Sequence, residues 1–462
     1  MTHSPVLLWF RCDLRLADQP ALQAALATGR PIIPIYILDE LTPGAWAPGG
    51  AQRWWLHHAL AALDADLRAC GSALVLRRGS FAVEVPRLMA ETGADEVHAG
   101  LAVEPWARRV MDGLATRIPL RRHMTSLMFH PEEIRTAAGT PFGVFTPFSR
   151  ACLARYAPYP SAPAPVRLPA ASLPRSERLE DWALLPTSPD WARGLRAAHN
   201  PGEAGAHRRL AEFLPRVSAY GEMRDRPDID ATSMLSPHLA FGGIAPWRMW
   251  EAAASLAEGR GLEKFRAEIL WREFSAHLLW HAPSLPETPL KPAYAAFPWQ
   301  PDAAALAAWQ RGRTGIPMVD AGMRQLWQTG WMHNRVRMIT ASFLIKHLLQ
   351  PWQDGEAWFW DTLVDADLAA NSASWQWVAG SGADAAPFFR IFNPVLQGQK
   401  FDPDGLYVRR FVPELAHVPA KFIHAPWEME KPPRNYPAPI IDLAFGRQRA
   451  LDALQTITKS AP

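Results

Sequence analysis

The stretch PVLLWFRCDLR, Pro5 to Arg15, decides how the first half of the chain folds. Its apolar run meets Arg11 and Asp13 within a few residues, so it is too short for a secretory leader and far too short to span a bilayer. It reads as a buried strand. Four more short apolar runs follow: Arg30–Leu38, Ser72–Gly79, Ala94–Gly100 and Ile118–His123. Helical stretches such as Arg53–Gly71 and Ala82–Gly93 lie between them. Strand–helix alternation of this kind predicts a parallel sheet covered on both faces, a Rossmann-like α/β domain. Such sheets often hold a nucleotide at the carboxyl ends of their strands. Here the first turn, FRCDLR, has no glycine. The G-x-G-x-x-G fingerprint and the Walker A loop are both absent, which disfavours NAD or ATP bound by the usual loop.

With 462 residues the chain can hold two or more domains. Nearly half of it is apolar and 20% is charged, the balance of an ordinary globular protein. A net charge of +3 permits a nucleic-acid partner without requiring one. The cysteines, Cys12, Cys70 and Cys152, are far apart and form no C-x-x-C pair. No disulfide framework, zinc site or four-cysteine cluster is expected, and a reducing cytoplasm fits. The 21 tryptophans stand out, because a buried indole N–H needs a partner. Bulky helical packing explains some of them; binding of a flat ligand or aromatic electron transfer would explain more.

From about Tyr156 to Pro201 the chain is rich in proline, alanine and serine, as in YAPYPSAPAPVRLPAASLP, which cannot form a regular helix. Beyond His207 apolar residues recur at three- and four-residue spacings almost to the end. The expected organisation is an α/β domain over 1–130, a linker over 131–204 and an all-α domain over 205–462.

Several segments carry polar groups beside aromatics. ATSMLSPHLAFGGI (Ala231–Ile244) sets hydroxyls and backbone N–H groups before a helix, which suits either a phosphate or, more commonly, a plain N-cap. EILWRE places Glu268, Trp271 and Arg272 on one helical face. GWMHNRVRM puts Asn334 and Met338 on one face and adds Arg335 and Arg337; an Asn amide can read a base or flavin edge, and His333 has no metal spacing. DADLAANSASWQW (Asp365–Trp377) crowds two carboxylates, an amide and two tryptophans together, as though around something flat and polar.

Taken in order, LLWFRCDLRLADQPAL, ATSMLSPHLAFG, EILWREF, TGIPMVDAGMRQLWQTGWMHNRVRMITASFL, DADLAANSASWQW and FRIFNPVLQGQKFDPDG resemble the DNA photolyase/cryptochrome family. The likeness covers essentially the whole chain. It implies an all-α domain that buries FAD in a folded, U-shaped conformation. Thr232, Ser233, Met234, Leu235 and Ser236 would then hold the FAD phosphates, with Tyr220 nearby. Asp365 and Asp367 would lie beside the flavin and ribityl chain, with Arg337 paired to Asp365. Asn371 would face flavin N5, where a neutral amide does not oppose a negatively charged reduced flavin.

The resemblance also discriminates within the family. Glu268, Trp271, Asn334, Met338 and Trp377 match the residues that grip a flipped-out cyclobutane pyrimidine dimer. Photolyases for the (6-4) lesion carry histidines where Asn334 and Met338 stand, and plant and DASH cryptochromes carry tyrosine at Trp377. No long signalling tail follows the helical part. A light-driven dimer-repair enzyme is therefore expected over a blue-light photoreceptor, and a generic flavin oxidoreductase lacks a motif for a hydride donor. Reduced FAD would donate one electron to the dimer under blue or near-UV light, and Glu268 would stabilise the dimer radical anion. Arg224 and Arg335 would contact phosphates of UV-damaged DNA. Trp375, Trp352 and Trp299 match the electron-hopping chain that reduces the flavin. Trp352 and Trp299 follow prolines at element ends, where an indole can reach towards the surface. Trp327 would offer a branch, as in class III photolyases.

A second chromophore is expected in the α/β domain. Pro105 and Trp106 stand before Ala107-Arg108-Arg109 where the enteric folate site has Asn-Glu. VEPWARR is nearer the 8-hydroxy-deazaflavin pattern, but the class III features favour methenyltetrahydrofolate at a differently built site. A cytoplasmic monomer without metal or membrane attachment completes the expectation.

Overall fold

The structure, a computed structural model, describes residues 4–169, 171–385 and 389–459. The five expected strands are β1 (Val6–Phe10), β2 (Ile32–Leu38), β3 (Val75–Arg78), β4 (Glu96–Gly100) and β5 (Leu120–His123). They form one parallel sheet in the order β3-β2-β1-β4-β5. β1 is buried at every position because helices cover both faces, which is why its sequence is continuously apolar rather than alternating.

The turn after β1 has the job that the missing glycines leave open: it binds the other half of the protein. Leu14 N–H donates to the Phe241 carbonyl at 3.0 Å. Arg15 is fully buried and donates to the carbonyls of Asp18, Thr125 and Gly242. Asp18 receives a two-pronged bond from Arg248 at 2.7 and 2.8 Å. Glu203 accepts from the N–H groups of Leu16 and Ala17. Gly242 sits at φ 68°, and a Cβ there would lie 2.3 Å from the Asp13 Cα, so the close approach needs glycine.

The proline-rich connector is extended, as its composition predicts, and it is pinned to the sheet edge. Leu168 N–H bonds to the Cys70 carbonyl and Glu177 N–H to that of Leu76. Trp182 is buried, its indole N–H on Glu177. The span 131–204 also contains two helices, Phe145–Arg155 and Arg193–Ala198. The first packs Phe148 and Cys152 into a cluster with Phe274 of the helix Arg260–His281.

Helices dominate the rest. The run from Met318 to Leu349 is not one helix. Pro317–Thr329 ends at Gly330 (φ 66°), Asn334–Ser342 follows, and a π-helical turn spans Phe343–His347. GEAWFWDTLVDADLAANSASWQWVAG likewise splits into Trp352–Thr362 and Leu368–Ala379. The break falls on Asp367, whose carboxylate caps the second helix through Ala370 N–H at 2.8 Å. Among the described residues no helix is long and apolar enough to cross a membrane, and no group of three or more His, Cys, Asp or Glu could hold a metal ion.

Replacing Arg15 by Met leaves three carbonyls at the interface between the halves without their donor. Loss of a buried charged donor predicts a cost of about 3–5 kcal/mol. Thermal unfolding of Arg15→Met is expected at a clearly lower midpoint than wild type, whereas a variant of the exposed Arg68 is expected to stay within experimental scatter.

Candidate active site

A cavity of about 670 Å³ opens in the helical half. It is lined by Tyr220, Arg224, Thr232–Ser236, Glu268, Trp271, Asn334, Arg335, Arg337, Met338, Asp365, Asp367, Asn371, Trp375 and Trp377. Five separate stretches of sequence thus meet around one space. Trp352, Trp299 and Trp327 do not line it.

Asp365 ties three of these stretches together. Its Oδ2 accepts from Ser236 Oγ at 2.6 Å and from Arg337 Nη2 at 2.8 Å. Its Oδ1 is buried and has no partner among the described residues. A buried carboxylate oxygen seldom goes unpaired, so a donor from a bound molecule belongs there. The carbonyl of the next residue, Ala366, accepts from Gln52 of the helix Gly50–Ala69. The α/β half therefore helps to fix the acidic turn.

The hydroxyl segment is not a plain cap. The short helix Ser236–Ala240 begins after Leu235 and has no side-chain capping bond, and Ser236 spends its hydroxyl on Asp365. Met234 takes a left-handed conformation at φ 53°. A non-glycine residue held there costs of order 1 kcal/mol or more and marks functional backbone. An alternation of right- and left-handed residues turns successive N–H groups into an anion-binding hollow. Hydroxyls, hollow, orphaned carboxylate oxygen and cavity volume fit a dinucleotide such as FAD.

Asn371 donates from Nδ2 to the Glu356 carbonyl at 3.0 Å, leaving Oδ1 as its uncommitted atom. Glu356 itself is fully buried. One carboxyl oxygen takes the Ser372 hydroxyl and the other has no partner among the described residues. Burial pushes its pKa up to about 8, so it is neutral at pH 7. Nothing in GEAWFW marks Glu356, because the segment reads only as an aromatic helix. Gln376, between the two tryptophans, is structural: it bonds the Leu285 and Thr288 carbonyls and the Leu290 N–H. His333 is also structural, accepting from Arg335 N–H as the cap of its helix.

At the mouth, Trp271 stacks on Phe145 with ring centres 3.8 Å apart and planes 5° apart. Phe145, absent from the sequence-derived site, backs one face of the indole. Trp377 donates its indole N–H to the Asp384 carbonyl. The Glu268 carboxylate is bonded to Arg224, and Arg335 is paired with Asp225 at 2.8 Å.

Of the outer tryptophans, Trp352 departs from the expected reach towards the surface, while Trp299 is half-buried. Trp352 is 2% exposed and does not reach the surface. Pro351 precedes the first turn of its helix, and the indole joins the same apolar cluster as Trp375, with Trp299 packed against it. Trp327 is 57% exposed and stacks on Trp358, centres 6.0 Å and planes 7° apart. Trp358 was not singled out from sequence; its neighbour Phe359 lies 5.0 Å from Trp375.

The model for the FAD binding domain of DNA photolyase matches residues 265–456, and that for DNA photolyase matches residues 6–169. The chain is 48% identical to a deoxyribodipyrimidine photo-lyase of Agrobacterium fabrum, over 99% of each chain. It is 35% identical to cryptochrome-1 of Arabidopsis thaliana, over 97% of this chain and 70% of that one. The crystal structure of a bacterial class III photolyase from Agrobacterium tumefaciens superposes with a TM-score of 0.96 at 48% identity, over 100% of this chain and 99% of that one. The chain belongs to the DNA photolyase/cryptochrome family. Its FAD-binding domain is the helical half just described, and the likeness to photolyases runs the full length of both partners.

Glu356 gives a pH test. Its folded-state pKa is raised from 4.5 to about 8, so the stability it contributes is present below pH 4.5 and is lost as pH rises through 8. Glu356→Gln stays neutral. In FAD-loaded protein its unfolding free energy is expected to fall less than that of wild type between pH 5 and 8, by up to about 1 kcal/mol per pH unit. Parallel pH profiles would contradict the assignment.

Proposed function

We propose that this photolyase splits cyclobutane pyrimidine dimers in DNA, using FAD and light. The observation that carries the reading is that the lesion-type residues and the cofactor-type residues line one cavity. When bound and reduced, FAD supplies the electron that light transfers to the dimer and that returns after the ring opens.

The protein's own part is to bind, orient and keep charges in balance. Extruding a damaged pair from the duplex costs less than extruding a sound one. Trp271, held flat by Phe145, and Trp377 then offer two indole faces to it, with stacking worth roughly 1–3 kcal/mol per base. Asn334 supplies an amide for base edges, and Met338 a polarizable surface. Arg224 is paired with Glu268. A phosphate arriving at Arg224 would share that guanidinium and leave Glu268 a freer acceptor for the lesion. Arg335 would serve a neighbouring phosphate. Asn371, which lines the cavity, would add no negative charge beside a reduced cofactor, and Glu356 behind it is held neutral by burial.

The buried cofactor requires an electron path. Trp375 lines the cavity, and Trp352 and Trp299 continue outward through one apolar cluster. The stack of exposed Trp327 on half-buried Trp358, whose neighbour is Phe359, suits a second exit. For the antenna, methenyltetrahydrofolate is the reading. Trp106, stacked on Phe81 and taking the Arg11 guanidinium at 5.5 Å, fills its own surroundings with side chains, which speaks against a deazaflavin beside it. We read the protein as a cytoplasmic monomer.

Two measurements test this. Oligonucleotides carrying one dimer or one (6-4) lesion, illuminated with reduced protein, should show dimer repair and little (6-4) repair. In the same assay Trp271→Ala and Trp377→Ala should weaken binding of dimer DNA about 10-fold or more relative to undamaged DNA while keeping their flavin. Efficient (6-4) repair without dimer repair would refute the reading.

Separately, Trp375→Phe should nearly abolish blue-light reduction of oxidised flavin by a thiol donor, yet repair dimers when reduced chemically beforehand. Unchanged photoreduction in Trp375→Phe would remove it from the path. A silent Trp352→Phe or Trp299→Phe would shift the route to Trp327 and Trp358.

A further inference from the structure

The helix Trp352–Thr362 buries Trp352, Gly355, Glu356 and Phe359 along one face, at the spacing i, i+3, i+4 and i+7. That face meets the helix Leu368–Ala379: Glu356 bonds Asn371 and Ser372, and the Phe359 ring packs on Trp375. Trp352, Glu356 and Phe359 carry large side chains. Gly355 leaves a notch among them, about one turn from Trp352 and one from Phe359.

Trp375 fills the notch. A Cβ at Gly355 would lie 2.1 Å from Cη2, 2.6 Å from Cζ3 and 2.7 Å from Cζ2 of its indole. These three atoms form the outer edge of the six-membered ring, so the indole meets the helix backbone edge-first. Two further walls hold it there. The Phe359 ring centre lies 5.0 Å away with planes at 67°, and the Trp309 ring centre 6.3 Å away with planes at 69°. Trp309 is fully buried and its indole N–H donates to the Thr340 carbonyl at 3.0 Å, so that wall is itself fixed.

The backbone does not ask for glycine at this place. Gly355 lies inside a helix and its φ is not in the left-handed region. Glycine there is less favourable than alanine, because it has more conformational freedom to lose. The three atoms nearest to the notch belong to one side chain, not to a facing backbone. Room for Trp375 is what the missing side chain supplies.

The same indole lines the cofactor cavity. It therefore borders the flavin site and also lies against the backbone one turn from Trp352. Electron transfer slows steeply as the gap between carriers widens, so the thickness of a methyl group counts at this step. We propose that Gly355 is a positioning residue of the path that reduces the flavin: its bare Cα seats Trp375 between the cavity and Trp352. The proposal rests on the reading of Trp375 and Trp352 as carriers.

The test compares wild type, Gly355→Ala, Trp375→Phe and the double variant, all purified with FAD. Phenylalanine lacks the ring edge that enters the notch. Gly355→Ala should therefore lower the thermal midpoint in the wild-type background, and leave it unchanged or raise it in Trp375→Phe. Blue-light reduction of the oxidised flavin by a thiol donor should slow about tenfold or more in Gly355→Ala, since a carrier displaced by a methyl group is out of position. The same variant, reduced chemically beforehand, should repair dimers at the wild-type rate and keep its flavin. Equal midpoint shifts in the two backgrounds would overturn the notch. Loss of FAD from Gly355→Ala would also overturn the proposal, because the glycine would then serve the cofactor site. If Trp375→Phe photoreduces like wild type, the carrier reading fails and takes the proposal with it. If Trp375→Phe is inert to light while Gly355→Ala matches wild type, the present proposal alone fails.

Discussion

The Asp365 carboxylate is the contact on which the site depends. A cavity of this size lined with arginines, hydroxyls and acids cannot be held open by apolar packing alone, because packing tends to close voids. Asp365 joins the Arg337 helix, the Ser236 segment and its own turn through one charge. It keeps one oxygen unspent for the ligand. Losing it would leave Arg337 as an uncompensated charge and detach the strained Met234 segment from its anchor.

The acidic turn is held in turn by the α/β half. Gln52 reaches the Ala366 carbonyl, and the turn after β1 clasps the loop around Gly242, close behind the hydroxyl segment. The sheet's first loop thus stabilises the site of a nucleotide that it does not itself bind. The parallel sheet has kept its architecture while its usual phosphate loop has become an interface. Fold and binding site are separable for this reason: the strands need only apolar burial, while the site needs specific polar partners.

Charge at the site is organised in layers. Arginines around the cavity are neutralised pairwise, Glu356 is kept neutral by burial, and Asn371 presents an uncharged amide.

Much was legible in the sequence. The five strands followed from apolar runs of strand length between helical periods, since burial on both faces leaves no other pattern. The family followed from ordered motifs, and those motifs named the residues that line the cavity. Other features were decided only by tertiary structure. The polar turn Arg11–Asp18 reads as an ordinary loop until Gly242 and Arg248 are brought against it from more than two hundred residues away. Trp352 reads as an element-end indole, yet packing draws it inside. Phe145, Trp358 and Glu356 carry no motif, because their roles lie in a stacking partner or a buried environment supplied by a distant segment. Local sequence sets periodicity and the identity of the groups that can do chemistry. Which of them are desolvated, paired or left free depends on neighbours remote in the chain, and that is settled only when the halves close on one another.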